Sequence, residues 1–143
     1  MSAIHYLTIQ DVLWVHLQVT NKVESYDYAR LEEAVFYQYA YGDSTGLLAQ
    51  ASRFLSGFMR QHPFEAGNEV TAFLSCAAFL RLNGKLLAID AAAAPAMIES
   101  ANAGKIDFDS RVADASSGEH LDTKGALKSV LEAFGELLEP AVR

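Results

Sequence analysis

Apolar residues recur at intervals of three and four through most of the chain, the spacing that lines one face of an α-helix. Ile9, Val12, Leu13, His16 and Leu17 fall on related faces and predict a first helix over 9–20. Thr8-Ile9-Gln10-Asp11 before it has the form of a capping box, in which hydroxyl and carboxylate satisfy the first unpaired amides. A polar stretch over 21–27 follows. Asp27 is placed as the cap of a second helix reaching about residue 41, with Leu31, Ala34, Val35 and Tyr39 inward and Glu32 and Glu33 outward. Gly42-Asp43-Ser44 breaks the pattern, and Ser44 is the expected cap of a third helix running to about residue 60. Leu47, Leu48, Ala51, Phe54, Leu55, Phe58 and Met59 give that helix a strong core-facing stripe.

A proline and a glycine interrupt residues 61–67. The helix expected over 68–82 is apolar on nearly every side, through Val70, Phe73, Leu74, Ala77, Phe79 and Leu80, which predicts an enclosed central position. Asn83-Gly84 ends it, because glycine accepts the left-handed conformation of a helix terminus. Residues 85–89 are too few to classify. The alanine-rich run 91–103 predicts a fifth helix with Pro95 in its first turn. Residues 110–122 look like loop, and Leu127, Val130, Leu131, Phe134 and Leu138 mark a last amphipathic helix over 123–138. The expected architecture is all-α, a compact bundle of about six helices around a central buried one, forming a single domain over 1–143.

Composition narrows the choice of partner. The formal charge is −7 with a pI near 4.9, and Lys and Arg do not cluster, so a nucleic-acid ligand is not expected. Hydrophobic residues make up 51% and charged residues 20%, a globular balance. The single Cys76 excludes an internal disulfide, and its neighbours Leu74, Ala77, Ala78 and Phe79 predict a buried thiol. Neither a secretory leader nor an apolar run of about 20 residues is seen, so the expected location is cytoplasmic, away from membranes. His5, His16 and His120 lack ligand-like spacing and are expected as surface or capping residues. Tyr26, Tyr28, Phe36, Tyr37, Tyr39 and Tyr41 cluster on and before the second helix; they either pack the core or line a groove for a partner helix.

The chemistry concentrates in His62-Pro63-Phe64-Glu65-Ala66-Gly67-Asn68. A histidine opens a short loop whose far end is a helix N-terminus. Unpaired amides and the helix dipole there attract anions, and Gly67 permits close backbone approach. A histidine beside such a site can take a proton from an attacking hydroxyl. On spacing alone, a structural histidine is the favoured reading.

The run resembles the Fic/Doc motif H-x-F-x-[D/E]-[G/A]-N-[G/K]-R, with His62, Phe64, Gly67 and Asn68 in register. Thr71-Ala72 is similar to the N-K-R-T-A of the Doc (death-on-curing) branch, and Phe79-Leu80-Arg81-Leu82-Asn83-Gly84 to that branch's F-L-R-x-N-G helix end. The first helix with Leu13 and His16, the segment Ala29-Arg30-Leu31-Glu32-Glu33-Ala34, and Ala103-Gly104-Lys105-Ile106-Asp107 resemble further family elements.

The resemblance implies a Fido fold with His62 as general base, Gly67, Asn68 and Thr71 at the phosphate or nucleotide, and Phe64 as a structural anchor. It also implies ATP with Mg²⁺, a target-protein hydroxyl as acceptor, and a small antitoxin as partner. Several family positions are changed. Ala66 replaces the acidic metal ligand, so no metal ligand is assigned, and Glu65 is its only nearby substitute. Glu69 replaces Lys or Gly, Val70 the phosphate-clamping arginine, and Phe73 the second arginine of the Fic branch. Arg60 could swing toward the loop in compensation. Either transfer of phosphate or AMP is impaired, or the chain is a catalytically dead binding module for a protein partner.

Overall fold

The computed structural model describes residues 4–104, 106, 108, 110–114 and 122–138. Among them are six α-helices: α1 (Ile9–Thr20), α2 (Tyr28–Phe36), α3 (Leu47–Gln61), α4 (Asn68–Leu82), α5 (Ala94–Asn102) and α6 (Thr123–Ala133). The fold is all-α, as the periodicity predicts. α4 is its axis. Of its 15 residues only Glu69 and Val70 keep appreciable exposure, because almost every position after them is small or apolar. α1, α3, α5 and α6 all pack on it. Phe54, Phe58, Phe73 and Phe79 are fully buried at the centre. Phe54 meets Phe79 edge-on with ring centroids 5.8 Å apart, and Phe73 meets Phe134 at 5.0 Å.

Several ends follow local chemistry. The Thr8–Asp11 capping box forms in both directions at the start of α1. Asp27 caps α2 by accepting from the Arg30 amide. Gly84, at φ +86°, follows the end of α4.

Three expectations need correction. The second helix stops at Phe36, not near residue 41. Gln38 is drawn fully inside, where its side-chain amide accepts from the Leu7 amide (2.8 Å) and donates to the Leu7 carbonyl (2.7 Å). Ser44 does not cap α3: its backbone pairs with Tyr41 in a tight turn, and Gly46 at φ +98° is the capping position. Lys85–Leu87 and Val112–Asp114, given no strand by their pattern, pair antiparallel as β1 and β2. Lys85 hydrogen-bonds Asp114, and that bond with its charge holds the exposed carboxyl below its usual range.

The fifth helix begins with a 3-10 turn over Ala91–Ala93 capped by Asp90. The last helix gives way after Ala133 to a 3-10 turn over Gly135–Leu137. Lys105, Asp107 and His120 lie outside the described residues. Among the described residues no helix is long and apolar enough to cross a membrane.

Candidate active site

α3 ends at Gln61, and His62 closes it in the left-handed conformation (φ 50°, ψ 58°). His62 is exposed, and its Nδ1 lies 2.9 Å from the Met59 carbonyl. A carbonyl can only accept, so Nδ1 carries the hydrogen, and in the neutral ring Nε2 keeps its lone pair. The helix end thereby fixes the tautomer that a general base needs.

Beyond His62 the chain turns back on itself through one side chain. Asn68 is buried; its Oδ1 accepts from the Phe64 amide (2.9 Å) and its Nδ2 donates to the Phe64 carbonyl (2.7 Å). Asn68 is thus a staple across the loop, and its backbone N–H, not its side chain, is left for a ligand. Gly67 adopts φ +77° at the cap of α4. The amides of Asn68, Glu69 and Val70 have no hydrogen-bond acceptor among the described residues. Three such donors at the positive end of a 15-residue helix form an anion cradle.

The loop is held on two further sides. On its outer edge Phe64 pairs with Tyr26, the Pro63 carbonyl accepts from the Asp27 amide (2.9 Å), and the Gln61 carbonyl accepts from Arg30 (3.3 Å). An open cavity of about 340 Å³ lies between these two segments. Beneath the loop is His16, which proves to be buried and central rather than a surface or capping residue. Its ring stacks on Phe64 at 3.7 Å and 9°. Its Nε2 donates to the Ala66 carbonyl (2.9 Å) and lies 3.3 Å from a Glu24 oxygen, which has no hydrogen bond of good geometry. Phe64 is itself buried, so the loop is anchored by one stacked aromatic pair.

Other residues singled out by sequence fall differently. Thr71 is fully buried, its hydroxyl without a partner, and offers nothing to solvent. Glu69 accepts from Asn102 at the end of α5, so its charge is tied to that helix. Arg60 lies over the Tyr37 ring, 5.9 Å from its centroid, and not in the loop. Arg53 sits between the Tyr37 and Tyr41 rings (4.9 and 4.7 Å), on a face where Phe36 and Tyr41 are exposed. Cys76 is buried as expected, and burial pushes its thiol far up.

The backbone donors suit a phosphate oxygen, but the side chains do not suit a divalent cation. Ala66 has no ligand atom, Glu65 stands exposed and alone, and no three metal-ligating side chains converge among the described residues. The family model described as Fic/DOC family matches residues 1–80, which is 80 of the chain's 143 residues. No curated protein and no solved structure matches the chain.

Proposed function

The chain belongs to the Fic/DOC family, and on that premise we propose a Doc-like toxin-type protein that transfers phosphate or AMP from ATP to a protein hydroxyl at a reduced rate. The observation that carries this reading is the His62 ring. Its Nδ1–H is committed to Met59, which leaves Nε2 free on an exposed residue at one end of the loop, while three unpaired amides stand at the other.

In the proposed step the hydroxyl oxygen attacks phosphorus and its proton passes to Nε2 of His62. A new P–O bond forms as the bond to the leaving phosphate oxygen breaks. Gly67 turns the chain into α4 at φ +77°, and the amides around Asn68 carry the phosphate oxygens. The helix dipole contributes only about half a unit of positive charge there. With Ala66 and Val70 in place of an acid and an arginine, ATP is held loosely. Losing one transition-state donor typically costs about a hundred- to a thousandfold in rate. A small antitoxin would be the natural restraint on such a protein.

The test is calorimetry with ATP, with and without magnesium, alongside label transfer from α- and γ-labelled ATP onto candidate target proteins. His62→Asn is the informative variant, because asparagine tolerates the left-handed backbone. Transfer should fall by about a hundredfold or more with the melting temperature retained. A second reading, a Fido scaffold that binds a protein and transfers nothing, is favoured by the commitment of the Asn68 side chain to the Phe64 backbone, of Glu69 to Asn102 of α5 and of Thr71 to the interior. Absence of any heat or thermal shift with ATP would select it.

A further inference from the structure

The buried and exposed sides of the His62 loop meet at one peptide group, Ala66–Gly67. Ala66 is exposed, yet its carbonyl turns inward and accepts from Nε2 of His16 at 2.9 Å. In a trans peptide the C=O and the N–H point in opposite directions, and no peptide bond among the described residues is cis. The Gly67 N–H is therefore aimed away from α1, and it has no acceptor among the described residues. It stands next in sequence to the free amides of Asn68, Glu69 and Val70 at the start of α4.

Nothing in the loop's own backbone dictates this direction. Turning the peptide over changes chiefly ψ of Ala66 and φ of Gly67, and glycine takes either sign of φ about as readily. The turned peptide would aim the negative end of its dipole, the Ala66 oxygen, at an incoming phosphate. The group that decides lies beneath. His16 is 4% exposed, and its ring lies flat against Phe64, which fixes the plane in which it can point. The same Nε2 is 3.3 Å from a Glu24 carboxylate oxygen. With two acceptors at one nitrogen, the hydrogen stays on Nε2 in the neutral ring and the charged ring alike. Without that donor the Ala66 carbonyl would be stranded against the interior, and the peptide would turn to reach water.

We propose that His16 is a positioning residue of the phosphate site: by holding the Ala66 carbonyl inward, it turns the Gly67 N–H outward as a fourth donor of the anion cradle. The inference rests on the phosphate-binding reading of the loop and not on the transfer step.

The test follows the Gly67 amide itself. The chain has nine glycines, so glycine-selective nitrogen labelling gives a short amide spectrum to watch while inorganic pyrophosphate is added. In the parent the Gly67 signal should move. Two variants then separate the donor from the stack. His16→Phe keeps a ring against Phe64 but has no N–H, so its Gly67 signal should start displaced and its pyrophosphate affinity should fall about tenfold or more. His16→Gln has no ring to stack but restores a side-chain N–H at similar reach, so it should recover the response. The opposite pattern, a response kept by phenylalanine and lost by glutamine, would overturn the proposal and assign the role to stacking.

Should His16→Phe fail to fold, the parent still decides. Nitrogen spectra of its histidine rings should show a hydrogen on Nε2 of His16, and a hydrogen on Nδ1 alone would overturn the proposal. Calorimetry on the same samples separates the levels of failure. Heat from pyrophosphate without movement at Gly67 sinks the positioning alone, whereas neither heat nor movement removes the phosphate site and the proposal with it. Movement at Gly67 with no label transfer from ATP leaves the positioning supported and sinks only the transfer chemistry.

Discussion

Gly67 has two separate reasons to be glycine. Its φ of +77° disfavours any side chain, at a cost of about 1–2 kcal/mol. A Cβ there would also meet the Thr20 methyl at 2.8 Å and Val19 at 3.2 Å. Gly67→Ala should therefore cost about 2–3 kcal/mol, more than backbone strain alone. Thr20→Ser removes the obstructing methyl while keeping the hydroxyl that bonds the His16 carbonyl. In that background the cost should drop toward the strain value, measured by urea unfolding of the parent and the three variants. Equal costs in both backgrounds would mean that α1 does not press on the loop. The same contact explains what sequence could reveal at this scale. His62, Phe64, Gly67 and Asn68 are local in sequence, so their spacing announced a loop. His16 could not be read as its support, because its partners Phe64 and Ala66 lie about fifty residues away and no local periodicity encodes them.

Between elements, α3 meets the residue that ends α2 at Gly57, where an added Cβ would fall within 2.9 Å of carbons of the Tyr37 ring. Two effects oppose each other in Gly57→Ala. Helix propensity favours alanine by about 1 kcal/mol, while overpacking a formed core costs about 1–3 kcal/mol. Overpacking should win, giving net destabilisation of about 1 kcal/mol. With Tyr37→Ala the obstacle is gone, and Gly57→Ala should become stabilising by up to about 1 kcal/mol. Thermal unfolding of the pair reads the change of sign, and its absence would place the helices further apart than they are described. The helices that sequence delimited well, α1 and α4, carry their own end signals, in Thr8–Asp11 and Asn83–Gly84. α2 was overextended because its terminator is not local. Gln38 leaves the helix to satisfy the Leu7 backbone, and Gln50 then donates to the Gln38 carbonyl (3.0 Å). The β1–β2 pair was unreadable for the related reason that three-residue strands far apart in sequence show no alternation of their own.

At the scale of the whole molecule, enclosure of α4 is what sequence displays most openly, since a helix apolar on all sides finds its stable place inside a bundle whose other helices are amphipathic. One group reports on that enclosure. Cys76 is wholly buried on α4, and its thiol donates to the Ala51 carbonyl of α3 at 3.3 Å. A thiolate there would lose both hydration and its hydrogen bond, so burial drives the folded thiol well above its ordinary value. A group whose folded pKa is raised contributes fully below its unfolded pKa, near 8.5 for cysteine. The contribution is lost as pH rises above that, because only the unfolded chain then releases the proton. Between pH 8 and about 9.5 the native state should lose about 1.3 kcal/mol through this one group. Cys76→Ala removes the titrating atom, so its stability, though lower from the small void left behind, should fall less over the same interval. Urea midpoints of both proteins at the two pH values isolate the difference, since lysines and tyrosines titrate alike in each. Parallel pH profiles would mean that water reaches the interface of α3 and α4, and a bundle wet at that interface could not hold the His62 loop between the same two helices.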